Sequence, residues 1–312
     1  MLRNAWILWG IAGLVLLGLS IHRGDVETPT VANDGAAEEP DVSASAQEQA
    51  IQALSKLGYG KPVWIQGRET GSVDTSPPER IAIQAKPADT SNADLAFQDI
   101  ASTRPDGSQL LLRAVVLFNR YSWMKGKDHV FQGESPQGIF PRTAISNADI
   151  EYDVRNSIAT YCVGLASTEY KTDQAQTNTE LSDNRAIRLC STLFGLGYID
   201  PASSIQRSMA IGLGERIAER DDSVPPSRQR AAVLIGVSEI GDSHTEADVA
   251  DAIVHGLTAA GLRLSRYSRA DGNAFRIFEV TSADYHDSTS DAWHFGEDLL
   301  NRVVLNQEDA GD

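Results

Sequence analysis

Asn178, Ser182 and Arg185 follow one another at spacings of four and three residues, so on a helix they stack along one line. Beside that line Ala186, Leu189, Cys190, Leu193 and Gly197 recur at helical steps and form an apolar stripe toward a core. The stripe explains a fold. The line of amide, hydroxyl and guanidinium is where a polar ligand could be held. Helix-face arginines are commonly solvated or paired, so a purely structural Arg185 is the competing reading.

Other combinations imitate chemistry without its context. Ser122-Trp123-Met124-Lys125 and Ser182-Asp183-Asn184 look like two boxes of the penicillin-binding serine enzymes. The nucleophile of those enzymes opens a helix and is completed by a K-T-G box. Here Lys171-Thr172-Asp173 lacks the glycine and precedes the second box, and Ser122 falls in an aromatic stretch. Gly212-Leu213-Gly214 lacks the third glycine of a dinucleotide turn and reads as a turn or close-packing feature. Asp248, Asp251 and His255 share a helical face, but no thiolate or second histidine joins them at ligand spacing, so a solvated acidic face is expected. The residues predict no catalysis, no metal and no cofactor.

The elements that would position the polar line alternate. Leu110 to Phe118 is a buried-strand run. Ser146 is placed as an N-cap, with Ile145 and Ile150 as a hydrophobic staple and Val154 and Ile158 continuing the stripe. Strand Ile158–Ala166 follows, then a helix opened by the capping-box pair Thr177 and Glu180. Strands near Gln206–Gly212 and Ala231–Val237 complete the series. Asn119 to Ala144, rich in glycine and aromatics, is too long for an ordinary connection and reads as an inserted loop. Further on, Glu246–Ala260 reads as a helix, and Leu262–Tyr267 with Phe275–Val280 as a hairpin about Asp271-Gly272-Asn273. The fold class is α+β, a layered sheet with helices against it.

The order of motifs resembles the OmpA-like peptidoglycan-binding domain. Its carriers are Y-C-V-G-L-A-S (Tyr161–Ser167) as strand and glycine turn, N-T-E-L-S-D-N-R-A (Asn178–Ala186), I-G-L-G-E (Ile211–Glu215) and S-R-Q-R-A-A-V-L-I (Ser227–Ile235). They cover about a quarter of the chain. The resemblance implies a mixed β-sheet backed by helices and a ligand, the diaminopimelate side chain of peptidoglycan, that ends in an ammonium and a carboxylate. Arg185 matches the family arginine, whose planar fork suits the carboxylate. Asn178 matches the helix-opening asparagine, and Arg230 one of two closing-strand arginines, Gln229 replacing the other. Ser167 stands where the family has the aspartate that takes the ammonium, and Glu169 or Asp173 is the nearest substitute anion. Cys162 on the strand and Cys190 on the helix come within reach of a disulfide, and two buried free thiols fit equally.

Ala5 to Ile21 is an uncharged run of seventeen residues with Trp6 and Trp9 near one end, at the short limit for a membrane span. No small-x-small cleavage site follows, so a retained anchor is expected rather than a signal peptide. Gly24 to Val42 holds six carboxylates, no basic residue and no aromatic, the composition of a disordered tether. The net charge of −16 argues against nucleic acid and anionic lipid surfaces as partners.

The expected organisation is an anchor at 1–22, an acidic linker at 23–45, a small module at 46–107, the OmpA-like domain at 108–240 and an α/β extension at 241–312. Read together, this is a single-pass inner-membrane protein of a Gram-negative bacterium with its domains in the periplasm. Its expected role is non-catalytic: to bind peptidoglycan and tether the inner membrane or a membrane complex to the wall, with peptidoglycan and an envelope complex as partners. The alternative from another class is a degenerate OmpA-like scaffold that mediates protein–protein interaction without binding peptidoglycan.

Overall fold

In the computed structural model of the chain, the described residues are 42–66, 79–167, 177–200, 203, 206–217, 224–281 and 303–306. The expected anchor and nearly all of the linker, with Glu169 and Asp173, lie outside them. Among the described residues no helix is long and apolar enough to cross a membrane.

The apolar runs become one mixed sheet. Strands β1 (Val63–Gln66), β2 (Arg80–Ala85), β3 (Leu95–Thr103) and β4 (Gln109–Leu117) pair antiparallel in sequence order. Beyond β4 the order is β7 (Ala232–Ile240), β5 (Ala159–Ala166), β6 (Arg207–Arg216), β9 (Arg276–Glu279) and β10 (Val303–Asn306). Among the described residues only β5 and β6 pair in parallel; β7 is antiparallel to both of its neighbours. A two-residue strand β8 (Tyr267–Ser268) pairs with the end of β6.

Both faces are covered, which is why the central strands are continuously apolar rather than alternating. On one face α4 (Asn178–Gly195) lies across β5 and β6, and α3 (Ala148–Arg155) beside it supplies buried Ile150 and Val154. On the other face α6 (Glu246–Gly256) brings Val249, Ala252 and Ile253 against β2 and β3. Helix α1 (Val42–Lys56) joins β2 and β3 through Gln47, whose amide donates to the carbonyls of Arg80 and Thr103.

Helix α4 starts where the sequence places it. Thr177 accepts from Glu180 N at 3.2 Å, and the Glu180 carboxylate accepts from Thr177 N at 2.9 Å. Ala186, Leu189, Cys190 and Leu193 are all fully buried. The helix sits unusually close to the sheet. Gly164 and Gly212 are register partners on β5 and β6. A Cβ on Gly164 would lie 1.8 Å from the Ser182 carbonyl oxygen, and one on Gly212 would lie 1.7 Å from Asp183 Oδ1. The expected glycine turn at Gly164 is therefore a strand interior, bare so that a helix can lie on it. Cys162 of β5 and Cys190 of α4 are joined by a disulfide across this contact, with Cα atoms 5.6 Å apart.

Four expectations change. Ser146 does not cap α3; it ends the short α2 (Pro141–Ile145), and Asn147 caps α3 by accepting from Asp149 N and Ile150 N. An amide oxygen one residue nearer the helix satisfies two free N–H groups. The helix read over Glu246–Ala260 is α-helical only to Gly256, and Leu257–Ala260 is a 3-10 turn. The C-terminal hairpin does not close on itself. β8 and β9 lie end to end along β6, because β6 offers a free antiparallel edge from Met209 to Arg216. The segment 46–107 is not a module of its own: it and the expected extension at 241–312 share one sheet with the middle of the chain. They extend the same sheet on its two sides, and Asp41–Asp312 is one compact unit.

Two outcomes follow from the helix contact. Gly164→Ala should destabilise the domain by about 3 kcal/mol or more, since helix backbone rather than a flexible side chain blocks the methyl. Replacing both cysteines by serine should cost about 3–4 kcal/mol, given a bridged separation of 28 residues. Urea titrations of each variant check both, and an unchanged midpoint for Gly164→Ala would mean that the helix does not press on the strand.

Candidate functional site

The residues of interest gather where β5 and β6 end, β7 begins and α4 starts, with the inserted loop folded over them. The polar line of α4 faces these strand ends, and each member has a definite partner. Asn178 Nδ2 donates to Glu215 Oε2 at 2.7 Å. Ser182 Oγ accepts the Gly214 N–H at 2.9 Å and donates to the Thr179 carbonyl at 2.7 Å. Arg185 Nη1 donates to the Leu165 carbonyl at 2.6 Å. Three motif residues thus stitch the helix to the two strands beneath it.

Arg185 goes further. Its Nε donates to Lys127 O at 2.9 Å and its Nη2 to Met124 O at 3.0 Å, both in the inserted loop. Its guanidinium carbon lies 5.8 Å from the centre of the Trp123 ring. The side chain is 0 % exposed. Burial, and next the charge of Arg230, push its pKa down to about 9, with Asp128 opposing. Asp128 is itself held below the usual carboxylate range. Burial would raise it, but a hydrogen bond from His129 and the charges of Arg188 and His129 outweigh that.

Arg230 fastens the same loop. Its Nε donates to Trp123 O at 2.9 Å, and Trp123 N donates back to Arg230 O at 2.9 Å. Its Nη1 lies 3.3 Å from Ser167 Oγ, a contact buried from solvent. Trp123 is fully buried and meets Phe131 edge-on at 4.5 Å, so the loop is an integral part of the core.

The structure therefore brings Arg185, Ser167 and Arg230 into one chamber and sends Asn178 elsewhere, to Glu215. The polar line expected at the edge of the packed face lies inside it. An open ligand pocket is not what these residues form: Arg185, Ser167 and Arg230 are all buried. A cavity of about 400 Å³ does exist, but it is bordered by Trp64, Ile65, Gln66 and Arg80 on and beside β1. An acid at position 167 would lie beside the Arg230 guanidinium.

Sequence reasoning did not find the loop's part in this chamber, nor the buried pair Asp183–Arg269. Arg269 Nη1 and Nη2 meet Asp183 Oδ1 and Oδ2 at 2.5 and 3.0 Å, and Nη1 also donates to Gly212 O. This pair fixes the segment after β8 onto α4, helped by Ala270 N donating to Thr179 Oγ1 at 2.9 Å. The length of the Asn119–Ala144 insertion and its buried tryptophan were the available signals for the first. Nothing in the spacing of Asp183 and Arg269 announces the second. Ser122 is also buried, and its hydroxyl donates to the Asn119 carbonyl at 2.7 Å.

No family model matches the chain, and no curated protein matches it. Two solved structures are similar to it. The periplasmic domain of MotB is 14% identical, covering 73% of this chain and 96% of that one, with a TM-score of 0.26. The periplasmic domain of Helicobacter pylori MotB is also 14% identical, covering 47% of this chain and 90% of that one, with a TM-score of 0.24.

Arg185→Ala should unfold the domain more readily, by roughly 3 kcal/mol or more, because three carbonyls lose a charged donor in a dry site. Arg185→Lys should recover little, since an ammonium cannot span the three acceptors as a planar fork does. Ser182→Ala should cost about 1–3 kcal/mol by stranding the buried Gly214 N–H. Urea midpoints measure all three, and a wild-type midpoint for Arg185→Ala would return that residue to a ligand role.

Proposed function

We propose that this protein is a non-catalytic component of the Gram-negative envelope, held to the inner membrane by residues 5–21. Its periplasmic domain has the OmpA-like fold and serves as a scaffold in an envelope assembly, with the sugar-peptide site given over to its own loop. The observation that carries this reading is the occupancy of Arg185. Its Nε, Nη1 and Nη2 are bonded to the carbonyls of Lys127, Leu165 and Met124, and no part of it reaches solvent. Two of those oxygens come from the inserted loop and take the guanidinium that, in the family resembled, holds the diaminopimelate carboxylate. A ligand entering there would have to break charge-assisted bonds of about 1.5–3 kcal/mol each and leave the carbonyls buried and unmet. The sequence supports the scaffold as well, since Ser167 replaces the family aspartate.

The second reading, direct peptidoglycan binding and tethering of the membrane to the wall, keeps one observation in its favour. Arg185, Ser167 and Arg230 still converge, and the turn that covers Arg185, Met124 to Val130, is closed by the backbone bonds from Met124 N to Val130 O and from Lys127 N to Met124 O. That reading requires the turn to swing away.

Sedimentation with purified sacculi separates the two. The scaffold reading expects the full-length protein to stay in the supernatant, while a variant with Lys125–His129 replaced by a two-residue Asn-Gly turn binds better. Wild-type protein that pellets with sacculi, and loses at least tenfold in affinity with Arg230→Ala while remaining folded by circular dichroism, would establish the tether instead.

A further inference from the structure

At the end of β4 and β7 away from the arginine chamber, three elements meet around one histidine. The tip of the β3–β4 hairpin, Arg104 to Ser108, lies against the loop Gly241–Thr245 that leads into α6. Gly241 N donates to Gln109 O at 2.8 Å, and His244 N donates to Gly241 O at 2.9 Å. The His244 side chain is 8 % exposed, and its Nδ1 lies 3.4 Å from Ser108 Oγ. Ser108 Oγ is in turn bonded to Ser243 Oγ. Nε2 of His244 is buried with no hydrogen-bond partner among the described residues.

The next residue is the cap of α6. Thr245 Oγ1 accepts from Asp248 N at 3.3 Å, and the Asp248 carboxylate accepts from Thr245 N at 2.7 Å and from Arg104 Nη1 at 2.7 Å. Arg104 also pairs with Glu79, just before β2. Helix α6 then covers the β2–β3 side of the sheet, with Gln98 Nε2 donating to Gly256 O at 2.7 Å at its far end. His244 is thus wedged between the hairpin tip and the first turn of the helix that shields this face.

We propose that His244 is an acid-sensitive clasp: protonation of its imidazole loosens α6 from the β2–β3 face. A neutral ring fits the site, whereas a charged ring places a new N–H in a buried spot that offers Nε2 no acceptor. The charged groups facing it are Asp248 on α6, and Arg104 and Asp106 on the hairpin, with Glu79 one step behind Arg104. Burial pulls the pKa below the ordinary 6.5, and Arg104 adds to this, while Asp248, Asp106 and the Gly241 backbone oppose without reversing it.

The sign follows by linkage. Between the lowered folded value and 6.5, the open form binds more protons than the closed one. Closure is therefore fully supported above about pH 6.5 and weakens as the pH falls toward the folded value.

Hydrogen exchange of the full-length protein in detergent, corrected for the intrinsic rate at each pH, tests the clasp. Between pH 7.5 and pH 5.0, amides of Glu246–Leu257 should lose protection relative to β5, by up to about thirtyfold if the folded ring stays neutral. His244→Gln, which keeps polarity and removes the titration, should abolish the difference. Equal loss in wild type and His244→Gln, or no loss in wild type, would overturn the proposal. A His244 ring resonance titrating at or above 6.5 would overturn it as well, without needing the variant to fold.

Discussion

Two bare glycines side by side on parallel strands set the rest of this structure. Gly164 and Gly212 remove the Cβ layer where α4 crosses β5 and β6, so helix backbone comes to rest on strand backbone. At that separation short polar side chains can reach across. Ser182 takes a strand N–H, Asn178 takes Glu215, and Arg185 takes a strand carbonyl. The Cys162–Cys190 bond sits in the same contact and needs the same approach. Larger residues at either glycine would lift the helix and leave each of these groups facing a gap.

The same approach explains how a chain of net charge −16 keeps arginines in its interior. A buried guanidinium is costly unless its donors are met. Arg185 is met by main-chain carbonyls, which no side-chain rotamer can withdraw, and by the face of Trp123. Its pKa is lowered first by burial and then by the charge of its neighbour Arg230, and Asp128 compensates only in part. Carbonyl groups from a loop can therefore serve a fixed arginine about as a carboxylate ligand does, with fewer formal charges but permanent position.

Much of the fold was legible in the sequence because local rules agreed with global ones. The Thr177–Glu180 box, the stripe from Ala186 to Leu193 and the apolar runs of β4, β5 and β7 all fall where they were expected. What escaped depends on partners distant in sequence. The hairpin read from Asp271-Gly272-Asn273 is sound turn chemistry, yet the open edge of β6 competes for both of its arms. The division at residues 107 and 240 followed motif limits, whereas β3 pairs with β4 along its whole length and β9 adds to β6. Period alone placed Asn178, Ser182 and Arg185 on one line. It could not say that the line faces inward, because a loop inserted some sixty residues earlier supplies its outer wall.

The polar residues around α4 differ in what the fold asks of them. Asn178 with Glu215 and Ser182 with Gly214 are bonded in a helix–strand joint, which bare Gly212 leaves room for and which would be needed whether or not anything docks beside it. Losing any of them costs the fold. Ser167 is different: its hydroxyl meets only the end of Arg230 among the contacts described, and an acid there is dispensable to the joint. The joint residues are held by packing and bonds to the strands, while position 167 is held through Arg230. A scaffold and a wall binder would therefore make the same demand on the joint and would differ only around Ser167 and the two buried arginines.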